Sequence, residues 1–341
     1  MINLDRNENF YGPAPKCMEV LKDVSKLDLS MYSKAYLKGV QSDLSERLSA
    51  DYGIEENQVI LGYGAEEILK LTVQAYLKEG DKLMVPSYSW WYYKKIAAEV
   101  GAGNIEYPMI KEKNSFRYDA DSFLKLYEAE KPKVIFIASP NNPTGNSIGT
   151  DTLFTILDAV TDSAVLFDEA YVFGYNAEEN RELLEKYPNI VIARTFSKYY
   201  ALAGMRIGYG LVGKKLTKLM EFAHRYLGFN YISEQVAIAA LDSQDYYSGI
   251  AEKMEADKKL YYQELGAIES FTVFPSDANF ILVEIPTEIK DSLKKYLLER
   301  EIVIKFMNEE LLNHHLRITI GTQEQNRKVI DAIKEFMKGH A

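Results

Sequence analysis

The sequence predicts an α/β protein: a mostly parallel central sheet of seven strands sandwiched by helices, followed by a smaller α+β domain. Three observations predict this fold. Apolar runs of strand length alternate with amphipathic stretches of helix length through most of the chain, which is typical of βαβ units. The runs VIFIA and AVLF are almost continuously apolar, as expected for strands covered by helices on both faces. From about residue 213 the pattern changes to long helical stretches followed by short strands.

The large sheet is assigned seven strands from these apolar runs. They are predicted at 58–62, 82–86, 104–108, 133–138, 164–168, 189–195 and 207–212. The segment AEEILKLTVQAYLKEG, between the first two strands, is a predicted helix because Leu69, Val73, Tyr76 and Leu77 recur at helical spacing. Gly80 then provides a C-terminal stop.

The second half of the chain predicts the smaller domain. Helices are expected at 213–227, 232–243, 245–266 and near 288–299, and strands at FTVFP, NFILVEI, VIKF and LRITI. The last helix begins with a capping box formed by Thr322 and Gln325. No Pro-rich or low-complexity linker interrupts the chain, so we expect the domains to join through a helix. The predicted large domain is 28–230, and the predicted small domain combines 1–27 with 231–341.

Length, charge and cysteine content exclude several classes of protein. A chain of 341 residues with 47% hydrophobic residues is long enough for two domains. Its net charge of −10 argues against a nucleic-acid partner, which requires clustered Lys and Arg. The single cysteine, Cys17, excludes a disulfide framework, a thiolate metal cage and a CxxC redox pair. With no apolar run of roughly 18 residues and no signal-peptide pattern, we expect a cytoplasmic protein without a membrane partner.

Two glycine motifs are weak signals. Gly62-Tyr63-Gly64 follows a strand, but Glu67 stands where a dinucleotide fingerprint has its third glycine. The segment 145–149 matches the GxSxG nucleophile elbow of hydrolases, with Ser147 at its centre. That serine lies about nine residues beyond its strand, whereas an elbow needs the serine on the turn itself. We therefore expect neither a dinucleotide site nor a hydrolase, although the two glycines of the first motif leave free N–H groups at a helix N-terminus, which suits a phosphate.

The adjacent histidines His314 and His315 do not predict a metal site. On a strand, neighbouring side chains point to opposite faces, so the two rings are not expected to bind one ion together. No HExxH motif or paired cysteine accompanies them. We therefore expect no metal.

Polar residues follow three of the core strands at the point where each ends. SPNNPTG follows the strand at 133–138, DEAY begins at the end of the strand at 164–168, and TFSK ends the strand at 189–195. In open α/β sheets the ligand crevice lies at the carboxyl ends of the strands. Asp168 is costly to bury there without a cationic partner, so we expect a positive group above it.

The motifs SPNNPTG, DEAY, TFSK and AGMRIGY, in this order and spacing, resemble the fold-type I aminotransferases that use pyridoxal 5′-phosphate (PLP). The segments LDRNENFYGP, GAEE and LRITIGT narrow the resemblance to the histidinol-phosphate aminotransferase-like group. The matches extend from residue 3 to residue 322. The resemblance implies the fold-type I PLP transferase fold, PLP as cofactor and a homodimer as the active unit.

The resemblance implies roles for five residues around the PLP ring. Lys198 would form the Schiff base with PLP, because only a primary amine can do so, and would then act as the general base. Asp168 would pair with the pyridinium nitrogen. Asn142 and Tyr171 would hydrogen-bond the phenolic oxygen, and Tyr88 would lie against the ring face.

The resemblance also implies a phosphate cup and a contribution from a second subunit. The cup would combine a helix N-terminus with nearby hydroxyl groups and one arginine, namely Gly64, Ala65, Glu66, Thr195, Ser197 and Arg206. Tyr32 matches the tyrosine that reaches the cofactor phosphate of the neighbouring subunit. Ser33 replaces the proline that usually follows it.

Three further residues would bind substrate. Arg317 matches the arginine that holds the donor carboxylate with its guanidinium fork. Tyr11 matches a substrate-facing tyrosine. Lys305, in EIVIKFM, stands where the family has an arginine for the substrate phosphate, so the charge is kept and the fork is lost. Together with Lys198 and Arg206, the cations Arg317 and Lys305 predict one small basic pocket.

Three activities remain open at this point. The first is transamination of histidinol phosphate with 2-oxoglutarate, which gives imidazole acetol phosphate and glutamate and belongs to histidine biosynthesis. The second is transamination of an aromatic amino acid or another small phosphorylated amine. The third is PLP-dependent decarboxylation of a phosphorylated hydroxyamino acid, which differs only in the Cα bond held perpendicular to the ring.

Overall fold

The computed structural model of the protein describes residues 1–23 and 29–339. Within them the strands are β1 Ile2–Leu4, β2 Val59–Gly62, β3 Lys82–Pro86, β4 Gly103–Tyr107, β5 Met109–Lys111, β6 Phe116–Tyr118, β7 Val134–Ala138, β8 Ala164–Asp168, β9 Ile190–Thr195, β10 Gly208–Val212, β11 Thr272–Phe274, β12 Phe280–Glu284, β13 Ile302–Phe306 and β14 His315–Thr319. The helices are α1 Pro15–Lys22, α2 Asp43–Tyr52, α3 Ala65–Tyr76, α4 Tyr92–Glu99, α5 Ala120–Glu130, α6 Thr150–Ala159, α7 Ala177–Lys186, α8 Thr217–Ala223, α9 Tyr231–Leu241, α10 Gln244–Gly266, α11 Lys290–Glu299 and α12 Gln323–Lys338.

The large sheet has seven strands in the order β2-β10-β9-β8-β7-β3-β4. Neighbouring strands from β9 to β4 pair in parallel, and β10 alone runs antiparallel to both β2 and β9. These are the seven strands that the apolar runs predict, with bounds that differ by at most one residue. The predicted α/β fold with a mostly parallel sheet is confirmed.

Helices cover both faces of this sheet because successive strand residues point in opposite directions. In β7, Ile135 and Ile137 belong to a core shared with α2, α5, α6 and α7. Val134 and Phe136 belong to a separate core shared with α3, α4 and α8. The continuous apolar sequence of β7 therefore reflects burial on two sides, as predicted.

The smaller sheet has the order β1-β13-β14-β12-β11. β1 pairs in parallel with β13, and the other neighbours are antiparallel. The predicted C-terminal strands and α12 are present, and Thr322 and Gln325 form the predicted capping box. The predicted domain boundary at 27/28 falls on residues 24–28, outside the described residues. The boundary at 230/231 coincides with the start of α9, which Asn230 caps.

The helix predicted at 213–227 is shorter than expected and ends at Ala223. Tertiary hydrogen bonds explain the early stop: the Arg225 N–H donates to Gln41 Oε1 at 3.1 Å, and Arg225 Nε donates to the Leu61 carbonyl at 2.9 Å. Gly228 then takes a left-handed conformation with φ +83°. Contacts with residues distant in sequence therefore override the local helical pattern.

The expectation that His314 and His315 point apart is wrong. β14 begins at His315, so His314 lies outside the strand and does not follow its alternation. The two ring centroids are 4.5 Å apart, and both rings approach Glu284.

Among the described residues, no helix combines the length and the apolar character that crossing a membrane requires.

Candidate active site

The carboxyl ends of β7, β8 and β9 open onto a cavity of about 800 Å³. We call its two sides the sheet wall and the closing wall. The sheet wall contains residues that follow the large-sheet strands, with the first turn of α3: Gly64, Ala65, Glu66, Asn142, Asp168, Tyr171, Thr195, Ser197, Lys198 and Arg206. The closing wall combines the N-terminal segment with the smaller sheet and the loop after β13: Asp5, Arg6, Asn7, Glu8, Lys305, Met307, Glu309 and Arg317.

Lys198 belongs to the sheet wall, and its side chain contacts the closing wall. Its Nζ donates a hydrogen bond to the Arg6 carbonyl at 3.0 Å and lies 5.5 Å from the centre of the Tyr171 ring. Burial, reinforced by the Arg317 and Arg206 cations and opposed by Glu8, lowers the pKa of Lys198 to about 8. A substantial fraction of this amine is therefore neutral near pH 7 to 8, which is the form that can act as a nucleophile or take a proton.

Asp168 ends β8 and is buried in the floor of the cavity. Its Oδ2 accepts a hydrogen bond from the Tyr93 hydroxyl at 2.6 Å, and its Oδ1 accepts one from the Ala170 N–H at 2.9 Å. Burial raises the pKa of Asp168, although the two donors oppose that effect. A cationic group in the cavity would stabilise the ionised carboxylate at this position.

Tyr171 and Asn142 connect the sheet wall to the closing wall. The Tyr171 hydroxyl oxygen accepts a hydrogen bond from Asn7 Nδ2 at 3.0 Å, and burial, the largest cause, raises the pKa of Tyr171. Tyr171 therefore keeps its proton and can donate it in a hydrogen bond. Asn142 Oδ1 accepts a hydrogen bond from Arg317 Nη1 at 2.6 Å.

Arg317, on β14, is the central cation of the closing wall. Its Nη2 donates to the Asp5 carbonyl at 2.6 Å, and its buried Nε has no hydrogen-bond partner among the described residues. Burial lowers the pKa of Arg317, yet a guanidinium stays charged in proteins. Lys305 lies directly across from Arg317 in the β13–β14 pair. Two cationic side chains thus arise from one rung of the smaller sheet.

The turn before α3 is shaped for an anion. Gly64 has φ +85°, and a Cβ at this position would lie 2.6 Å from Arg206 Nη2. The N–H groups of the first helical turn have no intrahelical acceptor, and the helix dipole favours negative charge there. Arg206 also donates to Ser197 Oγ at 3.5 Å, and Thr195 Oγ1 accepts the Ser197 N–H at 3.1 Å.

Gly208, on β10, allows this turn to lie close to the sheet. A Cβ on Gly208 would approach the Ala65 nitrogen to 2.3 Å. The absence of a side chain on the strand therefore positions the amide groups of the turn.

These features fit PLP. A phosphate matches the amide groups and Arg206 at the α3 turn, and the Gly64 turn has no room for a side chain. A protonated ring nitrogen matches the carboxylate of Asp168, and a phenolic oxygen matches donors from Tyr171 and Asn142. The amine of Lys198 lies in the same cavity.

Two of the predicted tyrosines have contacts that direct them away from the cavity. The Tyr88 ring packs against Phe116 with centroids 5.1 Å apart, so the structure does not support its placement against the cofactor ring. The Tyr11 hydroxyl donates to Asp257 Oδ2 at 3.0 Å, and burial with this carboxylate raises the pKa of Tyr11 to about 12. Tyr11 is not in the lining of the cavity, and its substrate-facing role stays a prediction.

Tyr32 also lies outside the cavity. It is 72% exposed and lines a separate hollow of about 290 Å³ with Met31, Lys38 and Tyr231. This position matches a residue that acts on a neighbouring subunit rather than on its own, so the predicted role of Tyr32 stays a prediction.

Besides Tyr171, three of the described aromatic residues line the cavity, and all three lie just after Tyr88 in sequence. Trp90, Trp91 and Tyr93 are on its surface, and Tyr93 holds Asp168. The run SYSWWYY indicates an aromatic cluster near the end of β3, but it does not distinguish which rings face the cavity.

Asn7 is a further residue that motif reasoning missed. It is 1% exposed, has φ +55°, and joins Tyr171 to Thr319: its N–H donates to Thr319 Oγ1 at 2.9 Å. Asparagine adopts a positive φ more readily than most residues, so the segment DRNEN is compatible with a turn at Asn7. The sequence alone does not show that Asn7 contacts Tyr171 and Thr319.

The four cations that predict one basic pocket do line a single cavity, but they share it with at least as many acidic side chains. The cavity surface carries five cationic side chains and five carboxylates. The cations are Arg6, Lys198, Arg206, Lys305 and Arg317, and the acids are Asp5, Glu8, Glu66, Asp168 and Glu309. Positive charge is therefore local to the α3 turn and to the rung of Lys305 and Arg317.

The hydrolase alternative has no structural support. Ser147 is exposed, its N–H donates to Asp277 Oδ2 at 3.1 Å, and it does not line the cavity. His314 and His315 contact Glu284 instead of a serine.

Comparison with known proteins gives a consistent result. The family model for "Aminotransferase class I and II" matches residues 1–333. A histidinol-phosphate aminotransferase of Ruminiclostridium cellulolyticum is 31% identical over 333 residues, covering 97% of this chain and 91% of that protein. Histidinol-phosphate aminotransferase 2 of Archaeoglobus fulgidus is 32% identical over 341 residues, covering 98% and 93%.

A solved structure shows the same fold. The histidinol-phosphate aminotransferase of Sinorhizobium meliloti, determined in complex with PLP, superposes with a TM-score of 0.88 and 23% identity. The match covers all of this chain and 91% of that one.

Proposed function

This chain belongs to the aminotransferase class I and II family, and we propose that it is a PLP-dependent aminotransferase that acts on histidinol phosphate. 2-Oxoglutarate is the proposed acceptor, so the products are imidazole acetol phosphate and glutamate. The observation that carries this proposal is the arrangement of Lys198, Asp168 and Arg317 around one cavity. Relatives named for this activity, more than 30% identical over almost the whole chain, support the choice of substrate.

PLP, when bound, supplies a ring that accepts the electron pair left at the substrate Cα when its proton is removed. The α3 turn and Arg206 bind the phosphate and so fix the position of the ring. Asp168 holds a proton on the ring nitrogen, and the donors of Tyr93 and Ala170 keep the carboxylate oriented. Tyr171 and Asn142 would donate hydrogen bonds to the phenolic oxygen of PLP.

Lys198 moves the proton. Its amine has a pKa of about 8, so near neutral pH it can take a proton from the substrate Cα. It would then return that proton to the C4′ carbon of the cofactor. The Arg6 carbonyl, 3.0 Å away, holds this amine at the junction of the two walls. Arg317 binds the carboxylate of glutamate and 2-oxoglutarate.

The role of Lys198 is tested by its removal. Adding PLP to the purified chain should produce a visible absorbance band that Lys198→Ala abolishes. Activity should fall by at least about 10⁴-fold, since both the nucleophile and the base are lost. Lys215→Ala, at an exposed lysine outside the cavity, is the matched control and should keep the band. A colourless wild-type protein would refute the proposal.

The substrate is tested by single-turnover mixing of the PLP-loaded protein with histidinol phosphate, glutamate and aromatic amino acids. True amino donors should bleach the band. Bleaching by aromatic amino acids but not by histidinol phosphate would favour the second activity, and release of carbon dioxide without bleaching would favour the decarboxylase.

Lys305 is proposed to bind the substrate phosphate. It is on the closing wall and paired across the sheet with Arg317. Lys305→Met should raise KM for histidinol phosphate by about tenfold, as expected for one charged hydrogen bond, and should leave KM for glutamate nearly unchanged. Equal losses for both substrates would contradict this role.

We also propose a cytoplasmic homodimer in which Tyr32 reaches the partner's cavity. The exposed side chains of Met31, Tyr32, Tyr36 and Leu37 form an apolar surface near this segment. Mixing Lys198→Ala with Tyr32→Ala subunits tests the geometry, because a mixed dimer then contains one site with both native residues. Restored activity supports action across the interface, and no restoration contradicts it.

A further inference from the structure

A cluster of two histidines and one carboxylate lies at one end of the smaller sheet, away from the cavity. Glu284 is the last residue of β12, and it pairs across the sheet with His315, the first residue of β14. His314 precedes β14 directly. None of these three residues belongs to the lining of the catalytic cavity. The aminotransferase reaction therefore does not account for the cluster.

The three side chains converge on a common space. His314 Nε2 lies 2.9 Å from Glu284 Oε1, and His315 Nε2 lies 3.8 Å from Glu284 Oε2. One potential ligand atom from each residue lies within 4.8 Å of the others. Because β12 and β14 are neighbouring strands, the pairing of the backbone keeps Glu284 and His315 in register.

His315 is the unusual member of the cluster. It has 0% exposure, and neither ring nitrogen has a well-formed hydrogen bond in the described part of the chain. Buried polar groups normally have a partner, so such an imidazole beside a carboxylate requires an explanation. An imidazole nitrogen without a hydrogen bond can coordinate a metal ion, and both ring nitrogens of His315 are in that state among the described residues.

His314 is oriented by a neighbour outside the cluster. Its Nδ1 lies 2.9 Å from Asn313 Oδ1, and a hydrogen bond there leaves Nε2 directed toward Glu284. Histidines that bind metals typically donate their other ring N–H to an oxygen in this way. Asn313 thus selects the nitrogen that faces the common space.

Two of the described lysines lie near the cluster and oppose a cation here. Lys290 donates to the Asn313 carbonyl, and Lys111, from the β5–β6 hairpin, contacts Glu284 directly. Lys111 Nζ donates to Glu284 Oε2 at 2.8 Å and lies 5.7 Å from the centre of the Phe274 ring. Oε1 faces His314 instead. A cation bound to Oε1 would not displace Lys111 from Oε2. Repulsion between that cation and Lys111 would, however, lower the affinity of the site for the cation.

We propose that Glu284, His314 and His315 form a binding site for a divalent transition-metal ion, with Zn²⁺ as its best-matched occupant. Two imidazole nitrogens and one carboxylate oxygen are a common ligand set for this ion, and a water molecule would complete a tetrahedron. The partly exposed side of His314 leaves an entry path. The ion would fasten the ends of β12 and β14 together.

The test is titration of the full-length, PLP-loaded protein with Zn²⁺ by calorimetry, with Co²⁺ absorption as a second readout of coordination geometry. The wild-type chain should bind one Zn²⁺ that His314→Ala and His315→Gln each weaken by at least about 100-fold, since each removes a ligand. His224→Ala removes an exposed histidine elsewhere and is the matched control. Loss of the same ion in His224→Ala, or unchanged binding in His314→Ala, overturns the proposal.

Two further variants separate a metal site from a structural ion pair. Asn313→Ala should weaken Zn²⁺ binding by about tenfold, because it releases the orienting hydrogen bond of His314. Lys111→Met should strengthen Zn²⁺ binding by several-fold, because it removes a competing cation. Weaker Zn²⁺ binding in Lys111→Met would contradict the geometry. Because His315 is fully buried, His314→Ala provides the decisive result if His315→Gln does not fold.

Discussion

The sheet wall and the closing wall of the cavity differ in how the chain builds them. The sheet wall places one polar residue after another at the carboxyl ends of parallel strands, so local topology determines where Asp168 and Lys198 lie. The closing wall combines residues 5–8 with residues on and around β13. Residues 5–8 directly follow β1, and the pairing of β1 with β13, which begins with Ile2 and Ile302, brings them to this wall. The positions of the sheet-wall residues follow from the order of neighbouring strands and helices. The position of residues 5–8 in the closing wall follows from the long-range pairing of β1 with β13.

This difference suggests a division of labour. The sheet wall contains the residues that fit the cofactor, and the closing wall contains cations suited to substrate anions. Variants of the first should therefore change the chemical step, and variants of the second should change substrate binding. The following predictions test that division from the largest expected effect to the smallest.

After Lys198→Ala, Asp168→Ala should have the largest effect within the two walls. Loss of the carboxylate removes the electrostatic partner of the ring nitrogen, and kcat should fall by about 10³-fold while KM changes little. Steady-state kinetics with a check of PLP loading by absorbance measures this. Tyr93→Phe, which keeps the carboxylate and removes one donor to it, should cost only about tenfold. Equal losses in the two variants would contradict the assigned role of Asp168.

Arg317→Met should reduce kcat/KM for glutamate by about 100-fold, mainly through KM, because it removes charged hydrogen bonds to the carboxylate. Arg317→Lys keeps the charge without the planar fork and should recover only part of the loss. Measurement of both constants for both variants decides the matter. If Arg317→Met lowered only kcat, the closing wall would affect the chemical step rather than substrate binding, and the proposed division between the walls would be wrong.

Gly64→Ala should weaken PLP affinity by about tenfold, because the new Cβ would lie 2.6 Å from Arg206 Nη2. Gly80→Ala is a matched control, since Gly80 has φ +83° and no atom of the described residues lies within 4 Å of an added Cβ. Both variants should lose about 1–3 kcal/mol in the free energy of unfolding, because both glycines have a positive φ and Gly64, with ψ 166°, has a backbone conformation that is almost restricted to glycine. PLP titration and urea unfolding separate the two effects. Equal PLP affinity in both variants would count against a phosphate cup at this turn.

The smallest effect concerns the pH dependence of stability. The folded chain lowers the pKa of Lys198 from 10.5 to about 8, so between these values the unfolded chain binds a proton that the folded chain does not. The free energy of unfolding of the PLP-free wild type should therefore rise with pH across this window relative to Lys198→Met. Urea unfolding at several pH values measures the difference. A difference that stays constant across the window would contradict the lowered pKa.

The sequence predicts the sheet wall more completely than the closing wall, for a physical reason. Continuous apolar runs identify the buried strands, and the residues that end them, such as Asp168, must share one edge of the sheet. Asn7 carries no comparable signal, because its contacts with Tyr171 and Thr319 depend on where the smaller sheet packs. Arg317 and Lys305 are identified through family resemblance rather than through periodicity.

The direction of the Tyr88 ring is hard to predict for a similar reason. After β3 the chain turns into α4 within a few residues, and a rotation of that turn decides which of several adjacent aromatic rings faces the cavity. Tyr88 turns toward Phe116, while Trp90 and Trp91 line the cavity. Aromatic composition specifies the cluster but not the direction of each ring, since the loop has no regular period.

The pairing of β1 with β13 has a consequence for how the protein is made. Ile2 pairs with Ile302, so β1 leaves the ribosome long before its partner strand has been translated. At about 5–20 residues per second, that delay is roughly 15–60 s. The large sheet can assemble during this interval. Residues 5–8, however, cannot take their place at the cavity until β1 pairs with β13. The catalytic cavity is therefore completed only after β13 and β14 have emerged, and the nascent chain remains inactive until then.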